Sequence, residues 1–150
     1  MSAINPDHRP TNDTDRRANP APSAGAPRWY APAGVIQGFR EPAAETRDQQ
    51  VMRAIGIPYA YANRHEVPQP LTELPDGGMI VADLPGPTCP QRPSPAGKKI
   101  APHAQPRHHD EHCQHLAITV PDDTPADAKL PVMVWIHGGA NIAGGGDIPR

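Results

Sequence analysis

The most informative stretch of the chain is Leu130-Pro131-Val132-Met133-Val134-Trp135-Ile136-His137-Gly138-Gly139-Ala140. Residues 132–136 form an unbroken apolar run rich in β-branched side chains, with a proline before it and two glycines shortly after it. Such a run is typical of a short strand buried on both faces, as in a parallel sheet. Two glycines beyond such a strand allow a sharp turn and leave peptide N–H groups open to a ligand. Paired N–H groups can bind the oxyanion that forms when an ester carbonyl is attacked.

This stretch resembles the oxyanion-hole segment of the type-B carboxylesterases, the α/β-hydrolase family that also includes the cholinesterases and several bacterial esterases. The resemblance implies that the N–H groups of Gly139 and Ala140 face the developing negative charge. It also implies that Gly138 lets the loop turn and that His137 fixes the loop. Asn141 departs from the pattern, because the family usually has an aromatic residue there. A lone His-Gly-Gly would be better explained as an ordinary strand-to-loop turn.

Four upstream segments strengthen the resemblance. Residues 34–38, GVIQG, resemble the family pattern G-x-V-x-G, and residues 56–60 match its G-I-P-Y-A. Residues 86–91 resemble G-P-x-C-P-Q, and residues 111–121, EHCQHLAITVP, resemble E-D-C-L-x-L-N-V-x-x-P. In the last segment His112, Gln114 and Ala117 depart from the family pattern. The resemblance covers roughly residues 34–145, with a poorly matched insert near 92–110.

The implied fold class is α/β, as the N-terminal part of an α/β-hydrolase domain: a β-hairpin cap that leads into the first strands of the central sheet. Apolar and alternating runs predict strands over residues 51–55, 79–82 and 116–120. Asp76-Gly77-Gly78 predicts a turn. Gly56-Ile57-Pro58 is interpreted as a turn that leads to a buried Tyr59, a structural feature with no titratable group nearby.

Composition and charge bound the domain organisation. The chain has 22 prolines and 13 glycines in 150 residues, and aromatic residues make up only 4%. Residues 1–28 are polar and show no hydrophobic period, which predicts a disordered leader before a domain segment over 29–150. A net charge of −2 does not favour nucleic-acid binding, and no stretch is apolar enough to span a membrane. The oligomeric state is not predicted.

The cysteines Cys89 and Cys113 match two family cysteines, and the resemblance implies a disulfide between them. In the chain-entropy model such a bond contributes on the order of 3 kcal/mol. The N-terminus has no apolar signal-peptide core, so a cytoplasmic location is expected. That location conflicts with the disulfide, because cytosolic thiols are usually reduced.

The nucleophile of the family chemistry is missing from the sequence. It requires a serine in a G-x-S-x-G elbow, followed by an acid and a histidine. The chain's serines, Ser2, Ser23 and Ser94, have no such context. The sequence therefore predicts a serine esterase whose triad lies beyond Arg150 and whose isolated 150-residue segment is inactive. The expected substrate is a small-molecule carboxylic ester, and the resemblance implies no cofactor and no metal.

A histidine-rich loop supports an alternative of another class, a catalytically inactive fragment that binds a metal or a partner. The histidines are His103, His108, His109, His112 and His115, and Asp110, Glu111 and Cys113 lie among them. Imidazoles and thiolates ligate zinc. The spacing matches no standard zinc motif, however, and a polar solvated loop explains the same residues.

Overall fold

The structure is a computed structural model that describes residues 25–44, 46, 48–92, 109–140 and 142–146. The predicted leader lies outside these residues, apart from 25–28, and so does most of the predicted insert near 92–110. Two three-stranded sheets and one two-stranded sheet are built from the described part of the chain.

The first sheet contains strands β1 (Arg28–Ala31), β2 (Gly34–Gln37) and β7 (Met79–Val81), in the order β1-β2-β7. β1 and β2 form an antiparallel hairpin closed by the dipeptide at 32–33, and β7 lies parallel to β2. β2 lies in the segment 34–38 that resembles G-x-V-x-G, and β7 covers most of the strand predicted over 79–82. Between them, the predicted turn at 76–78 falls within a single helical turn, α1 (Pro75–Gly78), in which Asp76 and Gly77 have φ values of 58° and 74°.

The second sheet contains β3 (Phe39–Pro42), β4 (Gln50–Pro58) and β8 (His115–Pro121), with β4 in the centre and antiparallel to both neighbours. β4 and β8 include the strands predicted over 51–55 and 116–120. A two-stranded sheet, β5 (Ala60–Tyr61) with β6 (Gln69–Pro70), follows β4.

A small apolar core lies between the two larger sheets. Its buried members are Ile36, Ala54, Ile57, Leu74, Ile80 and Ala82, and Trp29 and Ile118 pack against them. Ala82 joins the two sheets through backbone hydrogen bonds. Its carbonyl accepts from the N–H of Ile55 in β4 (2.9 Å), and its N–H donates to Gln37 O in β2 (2.8 Å). The sheets therefore form one packed unit. Among the described residues no helix is long and apolar enough to cross a membrane.

The Gly-Ile-Pro segment is not a turn, which corrects the sequence-based interpretation. Residues 56–58 lie within β4, where the register with β8 shifts between Ala54 and Ile57. This irregularity is a β-bulge at Gly56, whose φ is 72°. Tyr59 follows the bulge and is 51% exposed rather than buried. A local glycine–proline pattern indicates a break in regularity but does not distinguish a bulge from a turn.

The buried strand predicted over residues 132–136 is also wrong for the described structure. The segment forms no strand and pairs with none of the described strands. Its five side chains are 64–87% exposed. An apolar run is buried on both faces only where neighbouring strands and covering layers surround it, and the described residues do not surround this one. Apart from α1, the described elements are all strands, so the α/β character is not visible within them.

Candidate active-site loop

The glycine-rich loop follows the exposed apolar segment and begins at His137. The His137 ring nitrogen Nδ1 lies 3.0 Å from Gly138 O, so the neutral ring with a proton on Nδ1 can donate to that carbonyl. The ring also packs against a later part of the loop, since a Cβ added to Gly144 would lie 2.7 Å from Nδ1. His137 therefore lies close to both ends of the loop, and its role in fixing the loop stays a prediction.

The backbone reverses at Gly139 and Ala140. Their φ values are 137° and 54°, both in the region that L-residues rarely adopt, whereas Gly138 has no positive φ. The Gly139 carbonyl accepts hydrogen bonds from the N–H groups of Ile142 (3.0 Å) and Ala143 (3.1 Å). A Cβ at position 139 would lie 1.6 Å from Ala143 O, so only glycine fits this turn.

The N–H groups of Gly139 and Ala140 form no hydrogen bond with any described residue. Both residues are exposed. Successive N–H groups in a turn can form a concavity that binds anions. The turn can therefore offer two donors to one oxyanion. Asn141, the departure from the family pattern, lies outside the described residues.

Gln91 holds the far end of the loop, a contact that sequence reasoning missed. Its side-chain amide accepts a hydrogen bond from the Gly144 N–H (2.9 Å) and donates one to Gly144 O (2.8 Å). Gln91 is the last residue of the G-P-x-C-P-Q segment, and this was the only signal in the sequence. Nothing in a local pattern indicates a partner 53 residues away.

The disulfide between Cys89 and Cys113 is present, with their Cα atoms 5.1 Å apart. It joins the segment before Gln91 to the entry of β8. The same two segments are held by noncovalent contacts, because the N–H of Asp110 donates to Thr88 O (3.1 Å) and His109 Nδ1 lies 3.2 Å from Cys89 O. The side chain that holds the loop therefore projects from a cross-linked base.

The residues of the other sequence hypotheses are not brought together in the described part of the chain. Ser2, Ser23 and Ser94 lie outside it, and so do His103 and His108 of the histidine-rich loop. Among the described residues no group of three His, Cys, Asp or Glu side chains is placed to hold a metal ion. His109, His112 and His115 therefore do not form a metal site with their described neighbours.

A shallow pocket of about 360 Å³ lies beside the cross-linked base. Its lining includes Asn63, Arg64, His65, Glu111 and Gln114. Arg64 and Glu111 form an ion pair across it. The lining of this pocket does not include Gly139 or Ala140, so the candidate chemistry stays with the turn at those two residues.

Comparison with known proteins identifies the family. The carboxylesterase family profile matches residues 26–148. The chain is 36% identical over 117 residues to a probable N-octanoylanthranilate hydrolase of Rhodococcus erythropolis, covering 77% of this chain and 23% of that protein. It is 34% identical over 108 residues to the para-nitrobenzyl esterase of Bacillus subtilis, covering 69% and 21% respectively.

A solved structure shares the fold. It is an esterase from Clostridium hathewayi, described as able to hydrolyse aliphatic aromatic polyesters, with a TM-score of 0.61 and 32% identity over 80% of this chain and 22% of that one. This chain thus spans about a quarter or less of the length of these relatives. With a family match over residues 26–148 and a structural likeness to a solved esterase, the chain belongs to the carboxylesterase family.

Proposed function

We propose that this chain is part of a carboxylic ester hydrolase, to which it contributes the oxyanion hole. The observation that carries the proposal is the turn at Gly139 and Ala140, where two successive N–H groups are exposed and form no hydrogen bond with a described residue. The Gly139 carbonyl already accepts hydrogen bonds from the N–H groups of Ile142 and Ala143. These bonds hold the turn without using the N–H groups of Gly139 and Ala140.

The role of the turn follows from where negative charge develops during ester hydrolysis. When a serine hydroxyl attacks the ester carbonyl carbon, the carbonyl π electrons move to oxygen and a base accepts the serine proton. The N–H groups of Gly139 and Ala140 then bind the oxyanion. Collapse expels the alcohol and leaves an acyl-enzyme, which water hydrolyses through a second oxyanion. Loss of one such donor typically lowers the rate roughly 100- to 1000-fold.

The remaining catalytic groups are assigned to polypeptide outside these 150 residues, since the sequence has no G-x-S-x-G elbow. In the complete domain, residues 29–150 form the N-terminal segment. The exposed apolar side chains of 132–136 support a larger domain, because such a run gains stability when other elements cover it. The substrate class is small-molecule carboxylic esters, a choice supported by the name of the similar para-nitrobenzyl esterase.

A chimera tests the proposal. Residues 26–148 of this chain replace the matching segment of the Bacillus subtilis para-nitrobenzyl esterase, and hydrolysis of a p-nitrophenyl ester is measured. We expect the chimera to hydrolyse the ester, Gly139→Ala to lower its kcat roughly 100-fold or more, and the isolated 150-residue chain to be inactive.

The matched control is Gly146→Ala, because a Cβ there would meet nothing within 4 Å and the φ is not positive. Circular dichroism shows whether each chimera is folded. A folded chimera without activity, equal effects of the two glycine substitutions, or reproducible hydrolysis by the isolated chain would each refute the proposal.

A further inference from the structure

We infer that Gln91 is the positioning residue of the oxyanion loop: its side-chain amide fixes the Gly144 peptide groups and thereby the turn that presents the N–H groups of Gly139 and Ala140. The statement that Gln91 positions an oxyanion hole rests on the proposed function. The contact between Gln91 and Gly144 does not, since it is defined by the geometry of the described residues.

The Gln91 side chain controls both the position and the orientation of Gly144. A primary amide carries an acceptor and a donor in one plane, and both are used on one residue, with Oε1 accepting at 2.9 Å and Nε2 donating at 2.8 Å. The second Nε2 proton donates to Cys89 O at 3.1 Å. Both N–H bonds of the amide and its oxygen are therefore engaged, which leaves the side chain little rotational freedom.

Gly144 transmits this constraint to the turn through close packing. A Cβ at position 144 would lie 2.3 Å from Gly138 O and 2.7 Å from the His137 ring, so Gly144 is pressed against the start of the loop. Its chain neighbour Ala143 donates its N–H to Gly139 O. A displacement of Gly144 therefore moves the group that holds the Gly139 peptide in place.

The base of Gln91 is rigid enough to act as a reference point. Gln91 follows Cys89 by two residues, and Cys89 is covalently joined to Cys113 just before β8. β8 in turn pairs with β4, the central strand of the second sheet. The loop that follows residue 136 thus takes its position from the cross-linked part of the fold.

Amide hydrogen exchange followed by NMR on the full 150-residue chain tests the inference. We expect Gln91→Ala to speed exchange of the Gly144 N–H roughly tenfold, because its acceptor is lost. The Ala143 N–H should also exchange severalfold faster, although Gln91 does not bond to it. Gln91→Glu keeps an acceptor oxygen but places a second oxygen where Nε2 donates to Gly144 O and Cys89 O, so it too should speed exchange of the Gly144 N–H severalfold.

Gln69→Ala is the matched control. The Gln69 amide also donates to a carbonyl two residues earlier, that of Val67 at 3.2 Å, but it makes no contact with the loop. We expect Gln69→Ala to leave the exchange of Gly144 and Ala143 unchanged. If Gln91→Ala leaves both amides unchanged, or if Gln69→Ala affects them equally, the inference is wrong.

Gln91→Glu also decides the question if Gln91→Ala does not fold. Unchanged exchange of the Gly144 N–H in a folded Gln91→Glu chain would refute the inference. The exchange rates do not depend on hydrolysis. An inactive chimera with the expected exchange pattern would therefore refute the proposed function alone, and an active chimera with unchanged exchange would refute the role of Gln91 alone.

Discussion

Gly56 and Gly77 have nearly the same φ, 72° and 74°, but different surroundings. A Cβ at position 56 would lie 2.2 Å from Leu84 O, whereas at position 77 it would meet nothing within 4 Å. Both alanine substitutions strain the backbone by about 1–2 kcal/mol. Gly56→Ala also overpacks the bulge, so we expect it to lower the free energy of unfolding by about 1–3 kcal/mol more than Gly77→Ala.

Urea denaturation followed by tryptophan fluorescence measures this difference, since Trp29 packs against the core. Equal losses for the two variants would show that Leu84 does not approach Gly56 closely in solution. Because the two glycines have nearly the same φ, their comparison separates the effect of the contact from that of the backbone strain.

At the same scale, the sequence located the candidate site but not its geometry. The Gly138-Gly139-Ala140 run predicted a turn with open N–H groups, and the residue types alone supported that. Which peptide reverses depends on contacts with Ala143 and Gly144 later in the loop. The role of Gln91 depends on a still more distant contact, and no local pattern encodes it.

At the scale of elements, the disulfide makes the clearest prediction. It closes a loop over a sequence separation of 24 residues, and in the chain-entropy model this contributes about 3 kcal/mol. We expect dithiothreitol to lower the free energy of unfolding by about that amount in urea titrations. The control is the double variant Cys89→Ser with Cys113→Ser, on which dithiothreitol should have no effect. A parent chain that unfolds at the same urea concentration with and without reductant would contradict the prediction.

Most strands could be predicted from the sequence because their side chains follow a local period. β4 and β8 alternate apolar and polar residues or present apolar runs between breakers, and both lie where the pattern indicated. The sequence-based predictions are wrong where contacts with distant parts of the chain determine the local structure. Gly56-Ile57-Pro58 became a bulge because β8 and the Leu84 carbonyl approach it, and the run over 132–136 stayed exposed because no described strand pairs with it.

At the scale of the whole molecule, the described residues bury little and expose one long apolar segment. The buried core has six apolar residues, and two of them are alanines. Composition predicted this weakness, since so many prolines and so few aromatic residues leave little to bury. Exposed apolar segments of this kind are unusual for a stable monomer, and they favour association with another surface.

The segment over 132–136 should therefore make the isolated chain associate. Val134 and Val67 are similarly exposed, at 79% and 75%, but Val134 lies within the apolar run and Val67 lies in the polar loop before β6. Val134→Glu places a charge in the run and should reduce concentration-dependent association in sedimentation velocity, whereas Val67→Glu should not. If both variants sediment like the parent chain at every concentration, the run is not the associating surface. If only Val134→Glu dissociates, the exposed run requires a covering partner, as a strand of a larger sheet does.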